Sequence, residues 1–154
     1  MNEYEEKLKA YIRRHNIGGE HLSFKQSCHT VKEAARAADA DIEDFVKNIC
    51  MIDAQGSFIV AIVKGEDRAS TSRVGKALGI DRPRIAEPEE ILEKTGYPCG
   101  GVPSFGYKAA FLIDPKVMMR KALYTSGGSE NSLVRISSAE LQRANNGRIV
   151  RIRK

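Results

Sequence analysis

The spacing of apolar side chains changes along the chain, and each change predicts a different secondary structure. In residues 3–15 apolar side chains recur every three or four positions, as at Leu8 and Ile12, which predicts an amphipathic helix. Two later runs, 48–53 and 57–63, are mostly apolar and contain many β-branched residues. Runs of this length and composition are typical of buried strands, so they predict a hairpin in the core.

Capping residues, prolines and glycines mark the other element boundaries. Thr30 with Glu33 and Ser137 with Glu140 have capping-box spacing, and they predict helices over residues 31–38 and up to about residue 144. Further helices are predicted for a short segment capped by Asp41 that buries Ile42, Phe45 and Val46, and for residues 71–78, 88–96 and 116–119; strands are predicted for 109–113, 121–125, 132–136 and 148–152. This order predicts one α+β domain with six or seven strands, many joined as hairpins.

Length and composition are those of an ordinary globular domain. A chain of 154 residues with 42% hydrophobic and 29% charged residues can bury a sizeable core without disulfides or metal. The apolar run 58–63 is far too short to span a membrane. The first residues are acidic, whereas a signal peptide begins with basic and then apolar residues. We therefore expect a cytoplasmic protein with no membrane partner.

The net charge of +5 gives weak support for an anionic partner. It is concentrated in residues 140–154, where five bases face one acid, Glu140, and leave a local charge of +4; the bases are Arg143, Arg148, Arg151, Arg153 and Lys154. Such a patch can attract nucleic acid by releasing counterions. A solvated edge strand protected by positive charge also explains this basic patch, and it is the favoured interpretation.

The cysteines and histidines predict no metal site and no cofactor. Cys28, Cys50 and Cys99 are odd in number, contain no Cys-x-x-Cys pair and are not at metal-ligand spacing with the histidines. Two of them are expected to act as small core residues. Cys99 lies in a glycine-rich segment and is a candidate nucleophile by position, but nothing in its sequence context supports a partner base.

That glycine-rich segment, residues 97–106, is the most informative part of the sequence. It reads Tyr-Pro-Cys-Gly-Gly-Val-Pro-Ser-Phe-Gly, with three glycines and two prolines in ten positions. Glycine lets backbone N–H groups approach a ligand closely, and proline fixes the path of the chain. The segment matches neither a Walker-type phosphate loop nor the Gly-x-Gly-x-x-Gly dinucleotide pattern. A ligand-binding loop and a rigid turn that ends a strand therefore remain equally open.

Four segments together resemble the YbaK family, also called the prolyl-tRNA-synthetase-associated editing domain. They are Cys28 to Ala35, similar to its Thr-Val-Glu-Glu-Ala helix start; Phe45 to Ile49, similar to its Ile-Val-Lys-Ser/Thr-Leu segment; Thr95 to Gly106, similar to its Thr-Gly-Tyr-x-x-Gly-Gly-Val-Ser-Pro-Phe-Gly loop; and Gly127 to Leu133, similar to its second glycine turn. The likeness covers residues 20–152, with residues 1–19 as an N-terminal helical extension.

The resemblance implies both a fold and a function. The implied fold is a mixed, largely antiparallel sheet partly closed into a barrel, with surrounding helices. The implied function is a free-standing trans-editing deacylase that hydrolyses the ester of a tRNA mischarged with a small amino acid such as alanine, cysteine or serine. Its partners would be the acceptor end of the mischarged tRNA and an aminoacyl-tRNA synthetase. A non-catalytic aminoacyl-tRNA- or synthetase-binding module, or a hydrolase of another small acyl ester, remains an alternative.

The resemblance also implies the site residues. Lys47, which sequence alone would place as a solvated lysine at the end of a short helix, matches the lysine on which the family's activity depends. The expected substrate-binding residues are Thr30, Gly100, Gly101, Val102, Pro103, Ser104, Phe105, Gly106, Gly127, Gly128, Ser129 and Ser132. Backbone N–H groups of Gly100, Gly101, Gly127 and Gly128 are candidate oxyanion donors.

No general base is evident, and the resemblance implies substrate assistance instead, through a vicinal ribose hydroxyl or through the substrate's own side chain. The sequence also departs from the family at two points. Pro103 and Ser104 are exchanged relative to its Ser-Pro order, and Glu130 or Asn131 lies where some members have a histidine. Both changes bear on the shape and selectivity of the pocket.

Overall fold

The computed structural model describes residues 2–154, which form six α-helices and eight strands. In chain order these are α1 (Glu3–Arg14), β1 (Gly19–Ser23), α2 (Val31–Ala38), β2 (Val46–Ile52), β3 (Phe58–Lys64), α3 (Thr71–Leu78), β4 (Arg84–Ile85), α4 (Pro88–Thr95), β5 (Ala110–Ile113), α5 (Pro115–Met118), β6 (Ala122–Ser126), β7 (Ser132–Ser137), α6 (Ser138–Asn145) and β8 (Arg148–Ile149). Two 3₁₀ turns, Ile42–Asp44 and Cys99–Gly101, lie between them.

The strands form two sheets. β1, β7 and β6 make an antiparallel three-stranded sheet, and the second sheet has the order β4-β2-β3-β5-β8. Four of the six strand pairs are antiparallel, whereas β5 is parallel to both β3 and β8. The predicted mixed, largely antiparallel α+β architecture is therefore confirmed.

The predicted barrel is wrong, because neither sheet closes on itself. The two sheets approach each other at an isolated bridge between Phe45 and Tyr124, just before β2 begins. β4 covers the outer edge of β2 only at Met51 and Ile52. Residues 47–49 of β2 are consequently left with no hydrogen-bonded strand on that side among residues 2–154, and the candidate site lies beside them.

The core lies on both faces of the five-stranded sheet. β3 is buried along its whole length, as a central strand covered on both sides should be. One face joins α1, the glycine-rich segment and the three-stranded sheet in a large cluster that includes Leu8, Phe105 and Leu123. The other face packs against α3 and the end of the chain around Val74 and Ile152. Across residues 2–154, no helix combines the length and apolar character that crossing a membrane requires.

Several local predictions need correction. β1 was not predicted, because Gly-Glu-His-Leu-Ser has no clear alternation of apolar and polar residues. The segment after Asp41 is a single 3₁₀ turn in which Ile42 is exposed, while Phe45 and Val46 are extended and buried. Lys47 is therefore the second residue of strand β2 and does not end a helix.

Candidate active site

A cleft of about 420 Å³ opens beside the uncovered edge of β2. Its volume lies within the range usual for small-molecule sites. The start of β2, the start of α2, the 3₁₀ turn Cys99–Gly101, the end of β6 and the turn after it form its walls. The predicted residues that line the cleft are Thr30, Lys47, Gly100 and Val102.

Lys47 is the cation of this cleft. Its side chain is half-buried, and within residues 2–154 no carboxylate lies within 4.0 Å of its ammonium group. Lys64, across the hairpin from Val46, is more buried but pairs with Glu66 at 3.0 Å. Because desolvated charges are normally paired, a half-buried lysine without such a partner is suited to an external anion or a developing negative charge.

A buried polar network that the sequence analysis missed forms the floor of the cleft. Asn48 Nδ2 donates to the Val102 carbonyl and to Thr125 Oγ1, both at 2.9 Å. Asn48 Oδ1 accepts from Ser104 Oγ at 2.6 Å, and the Ser104 and Thr125 hydroxyls are 2.8 Å apart. This network joins β2, the glycine-rich segment and β6. Asn48 is on the same face of β2 as the buried Val46 and Cys50. A polar residue between two apolar ones on a buried face was the sequence signal that could have predicted this network.

The two glycine segments touch directly behind the cleft. Gly128 N–H donates to the Gly101 carbonyl at 2.9 Å. A Cβ added to Gly101 would lie 2.4 Å from the Gly128 carbonyl carbon, so only glycine allows this approach. Gly128 has a positive φ of 102° and packs against the backbone of Tyr4 in α1.

Three of the four predicted oxyanion donors already have hydrogen-bond acceptors in the fold. The Gly101 N–H donates to the Pro98 carbonyl at 2.8 Å, and the Gly127 N–H donates to the Ser132 carbonyl at 3.0 Å. The Gly128 N–H donates to the Gly101 carbonyl. Of the four predicted groups, the Gly100 N–H is the one without a hydrogen-bond partner in residues 2–154. Gly100 is also among the residues that line the cleft.

Apart from Thr30, the remaining predicted residues support the site from behind rather than lining it. Thr30, at the rim, caps α2 by accepting from Glu33 N–H at 3.1 Å. The others are Pro103, whose carbonyl accepts from the Tyr107 hydroxyl at 2.6 Å; Ser104, in the network; Phe105, fully buried beside Tyr11; Gly106, with a φ of 100°; and Ser129 and Ser132, whose hydroxyls are 2.8 Å apart.

Glu5 connects α1 to the second glycine turn, residues 127–133, by hydrogen bonding. Its carboxylate accepts from the hydroxyls of Ser23 and Ser129, the latter at 2.7 Å. Burial alone would raise the pKa of Glu5, but these hydrogen bonds outweigh burial, so the pKa lies below its ordinary value. Glu5 is therefore a charged structural residue reaching the turn from behind.

The cysteines differ in environment. Cys28 and Cys99 line the cleft, whereas Cys50 is buried and burial raises its pKa to about 12. No cysteine in residues 2–154 is hydrogen-bonded to a histidine, and His29 Nδ1 instead pairs with Glu130 at 3.3 Å. No group of three or more potential metal ligands occurs within the same residues.

The basic C-terminal residues lie away from the cleft. β8 is at the edge of the five-stranded sheet, three strand positions from β2, which corresponds to roughly 14 Å. Arg153 pairs with the buried Asp114 at 2.9 Å and Arg143 with Glu140. Part of the local positive charge is thus neutralised within the fold.

Comparison with known proteins identifies the family. The sequence profile of the aminoacyl-tRNA editing domain matches residues 25–144. The chain belongs to the aminoacyl-tRNA editing domain family. This match includes every residue that lines the cleft and confirms the resemblance drawn from the four sequence segments.

Individual relatives agree with the family assignment. The uncharacterized protein YwhH of Bacillus subtilis (strain 168) is 22% identical over 136 residues, which are 87% of this chain and 86% of that protein. A proline–tRNA ligase of Trichlorobacter lovleyi is 30% identical over 84 residues, 54% of this chain but only 15% of the ligase. A crystal structure described as a candidate trans-editing enzyme for prolyl tRNA synthetase has a TM-score of 0.92 at 23% identity, covering 100% of this chain and 99% of that one. This editing-domain protein therefore has the fold of that structure.

Proposed function

We propose that this editing-domain protein is an aminoacyl-tRNA deacylase that acts in trans on tRNA mischarged with a small amino acid. The observation that supports this most is Lys47, a half-buried cation with no carboxylate within 4.0 Å in residues 2–154, in a cleft beside the Gly100 N–H. An aminoacyl ester needs these two features, because its hydrolysis places negative charge on the carbonyl oxygen.

The proposed reaction is attack of water on the ester carbonyl. The new C–O bond gives a tetrahedral intermediate whose oxyanion is stabilised by the Lys47 ammonium and the Gly100 N–H. The bond to the ribose oxygen then breaks, releasing the free amino acid and the tRNA hydroxyl. The proton passes from the attacking water to the departing oxygen through the vicinal ribose hydroxyl, a form of substrate assistance that the family resemblance implies.

The apolar part of the cleft supports a preference for small side chains. Ala34 comes from α2, Phe45 immediately precedes β2 and Leu133 comes from β7, and all three line the cleft. A pocket of this kind excludes large groups but separates substrates differing by one methylene only weakly. The similarity to a segment of a proline–tRNA ligase makes tRNA for proline the first acceptor to test.

Deacylation of a panel of mischarged tRNAs tests the proposal. Wild-type protein should release alanine, serine or cysteine from tRNA, and Lys47→Met should lower kcat/KM by about 100-fold or more, as loss of an oxyanion-stabilising group does. Lys32→Met is the matched control, because Lys32 is exposed on α2 and does not line the cleft. Binding of charged tRNA without turnover would identify a binding module instead. Turnover of other acyl esters alone would identify a different hydrolase.

A further inference from the structure

The cleft contains two opposite charges that do not pair with each other. Glu130 supplies the one carboxylate among the described residues that line it, and Lys47 supplies the one ammonium group. Their charged atoms are more than 4.0 Å apart, since no ion pair forms between them. A ligand with both a cationic group and a negatively polarised group would match this arrangement.

Glu130 is fixed close to Gly100 by the main chain around it. Its carbonyl accepts from Cys28 N–H at 2.5 Å, which ties the turn between β6 and β7 to the loop before α2. A Cβ added to Gly100 would lie 2.8 Å from Glu130 Oε1. The carboxylate therefore lies directly over the glycine whose N–H is free to hold the ester oxygen.

The chemistry of an aminoacyl ester makes this proximity meaningful. Standard bond lengths place its α-nitrogen about 2.5 Å from the carbonyl carbon. A carboxylate that recognises the α-ammonium group must consequently be next to the group that holds the carbonyl oxygen. Glu130 has this relation to Gly100.

The partner that Glu130 already has is easily exchanged. His29 Nδ1 is 3.3 Å away, with the two side chains 60% and 59% exposed. Ion pairs this exposed contribute little stability, so an ammonium group can replace the imidazole at small cost.

We propose that Glu130 binds the α-ammonium group of the aminoacyl ester and so selects aminoacyl-tRNA over tRNA bearing an acyl group without a free amine. This assignment rests on the proposed deacylase function. It makes Glu130 a residue that touches substrate, while Lys47 and Gly100 act on the carbonyl end.

A comparison of paired substrates tests the assignment. One substrate is the aminoacyl-tRNA that wild type hydrolyses fastest, and the other carries the matching α-hydroxy acid, such as lactyl-tRNA for alanyl-tRNA. The replacement of –NH₃⁺ by –OH keeps the shape of the substrate and removes its charge. Since uncatalysed reactivity also differs between the two esters, the measured quantity is the change in their kcat/KM ratio between wild type and Glu130→Gln.

We expect Glu130→Gln to lower kcat/KM about tenfold for the aminoacyl ester and less than twofold for the hydroxyacyl ester, the size expected for loss of a charge-assisted hydrogen bond. Glu33→Gln removes the same charge from α2 outside the cleft lining and should leave the ratio unchanged. An equal fall with both substrates, or no fall, overturns the assignment, and the ratio remains informative even if the variant is partly unfolded. Failure of wild type to hydrolyse any aminoacyl-tRNA overturns the proposed function itself.

Discussion

Replacement of Asn48 by alanine tests whether the buried network holds the floor of the cleft in place. Asn48 makes three hydrogen bonds, to the Val102 carbonyl, Thr125 Oγ1 and Ser104 Oγ, at 2.9, 2.9 and 2.6 Å. The Ser104 side chain is fully buried and Thr125 is 1% exposed, so the partners cannot turn to bulk solvent. We expect Asn48→Ala to destabilise the fold and to impair deacylation.

The magnitude follows from the hydrogen bonds. Each contributes a net ~1 kcal/mol, so three lost bonds correspond to about 3 kcal/mol of unfolding free energy. Asn48 itself is half-buried beside the cleft, and water entering from there can satisfy part of what is lost. The expected loss is therefore about 2–3 kcal/mol.

Urea denaturation measures this loss as a shift in midpoint at constant slope. Ser104→Ala and the double variant complete a mutant cycle, in which the double variant should lose at least about 0.5 kcal/mol less than the sum of the single losses. Asn131→Ala is the control, because this exposed side chain donates one hydrogen bond, to the Gln26 carbonyl at 3.2 Å. A loss below about 0.5 kcal/mol for Asn48→Ala, or strict additivity with Ser104→Ala, would refute the network's role.

Two further predictions concern the support behind the site. Gly101→Ala should lower the free energy of unfolding by about 1–3 kcal/mol, measured by calorimetry or urea denaturation, because the added Cβ would clash with the Gly128 backbone. Gly100→Ala should lower it less, because the atoms nearest to that added Cβ belong to the movable Glu130 side chain. Equal losses for the two variants would contradict this packing. Glu5→Gln should lower the free energy of unfolding by about 1–2 kcal/mol at pH 7. Because the pKa of Glu5 is lowered in the folded state, this stability difference between wild type and variant should persist above about pH 4.5 and shrink as the pH falls further. A stability difference that does not depend on pH would contradict a charged Glu5.

The sequence was sufficient where local chemistry decides structure. Thr30 and Ser137 cap helices by accepting N–H groups, and the hairpin of β2 and β3 follows its apolar runs. Lys47 and Gly100, which come from two of the four family segments, line the same cleft.

The sequence was insufficient where distant segments decide it. The barrel was wrong because the two sheets meet only at the isolated bridge between Phe45 and Tyr124, and pairing between such distant segments carries no periodic signal in the sequence. The oxyanion donors were over-predicted because the sequence does not show which glycine N–H groups the fold itself uses: Gly128 donates to Gly101 across the two segments, and Gly101 and Gly127 donate within their own turns. Asn48 was missed because its partners lie 54, 56 and 77 positions away.

The contact between Gly128 and the backbone of Tyr4 makes the first helix part of the foundation of the cleft. That helix lies outside residues 25–144, the portion shared with the family profile. A substitution in this helix can therefore move the second glycine turn while every residue that lines the cleft stays the same.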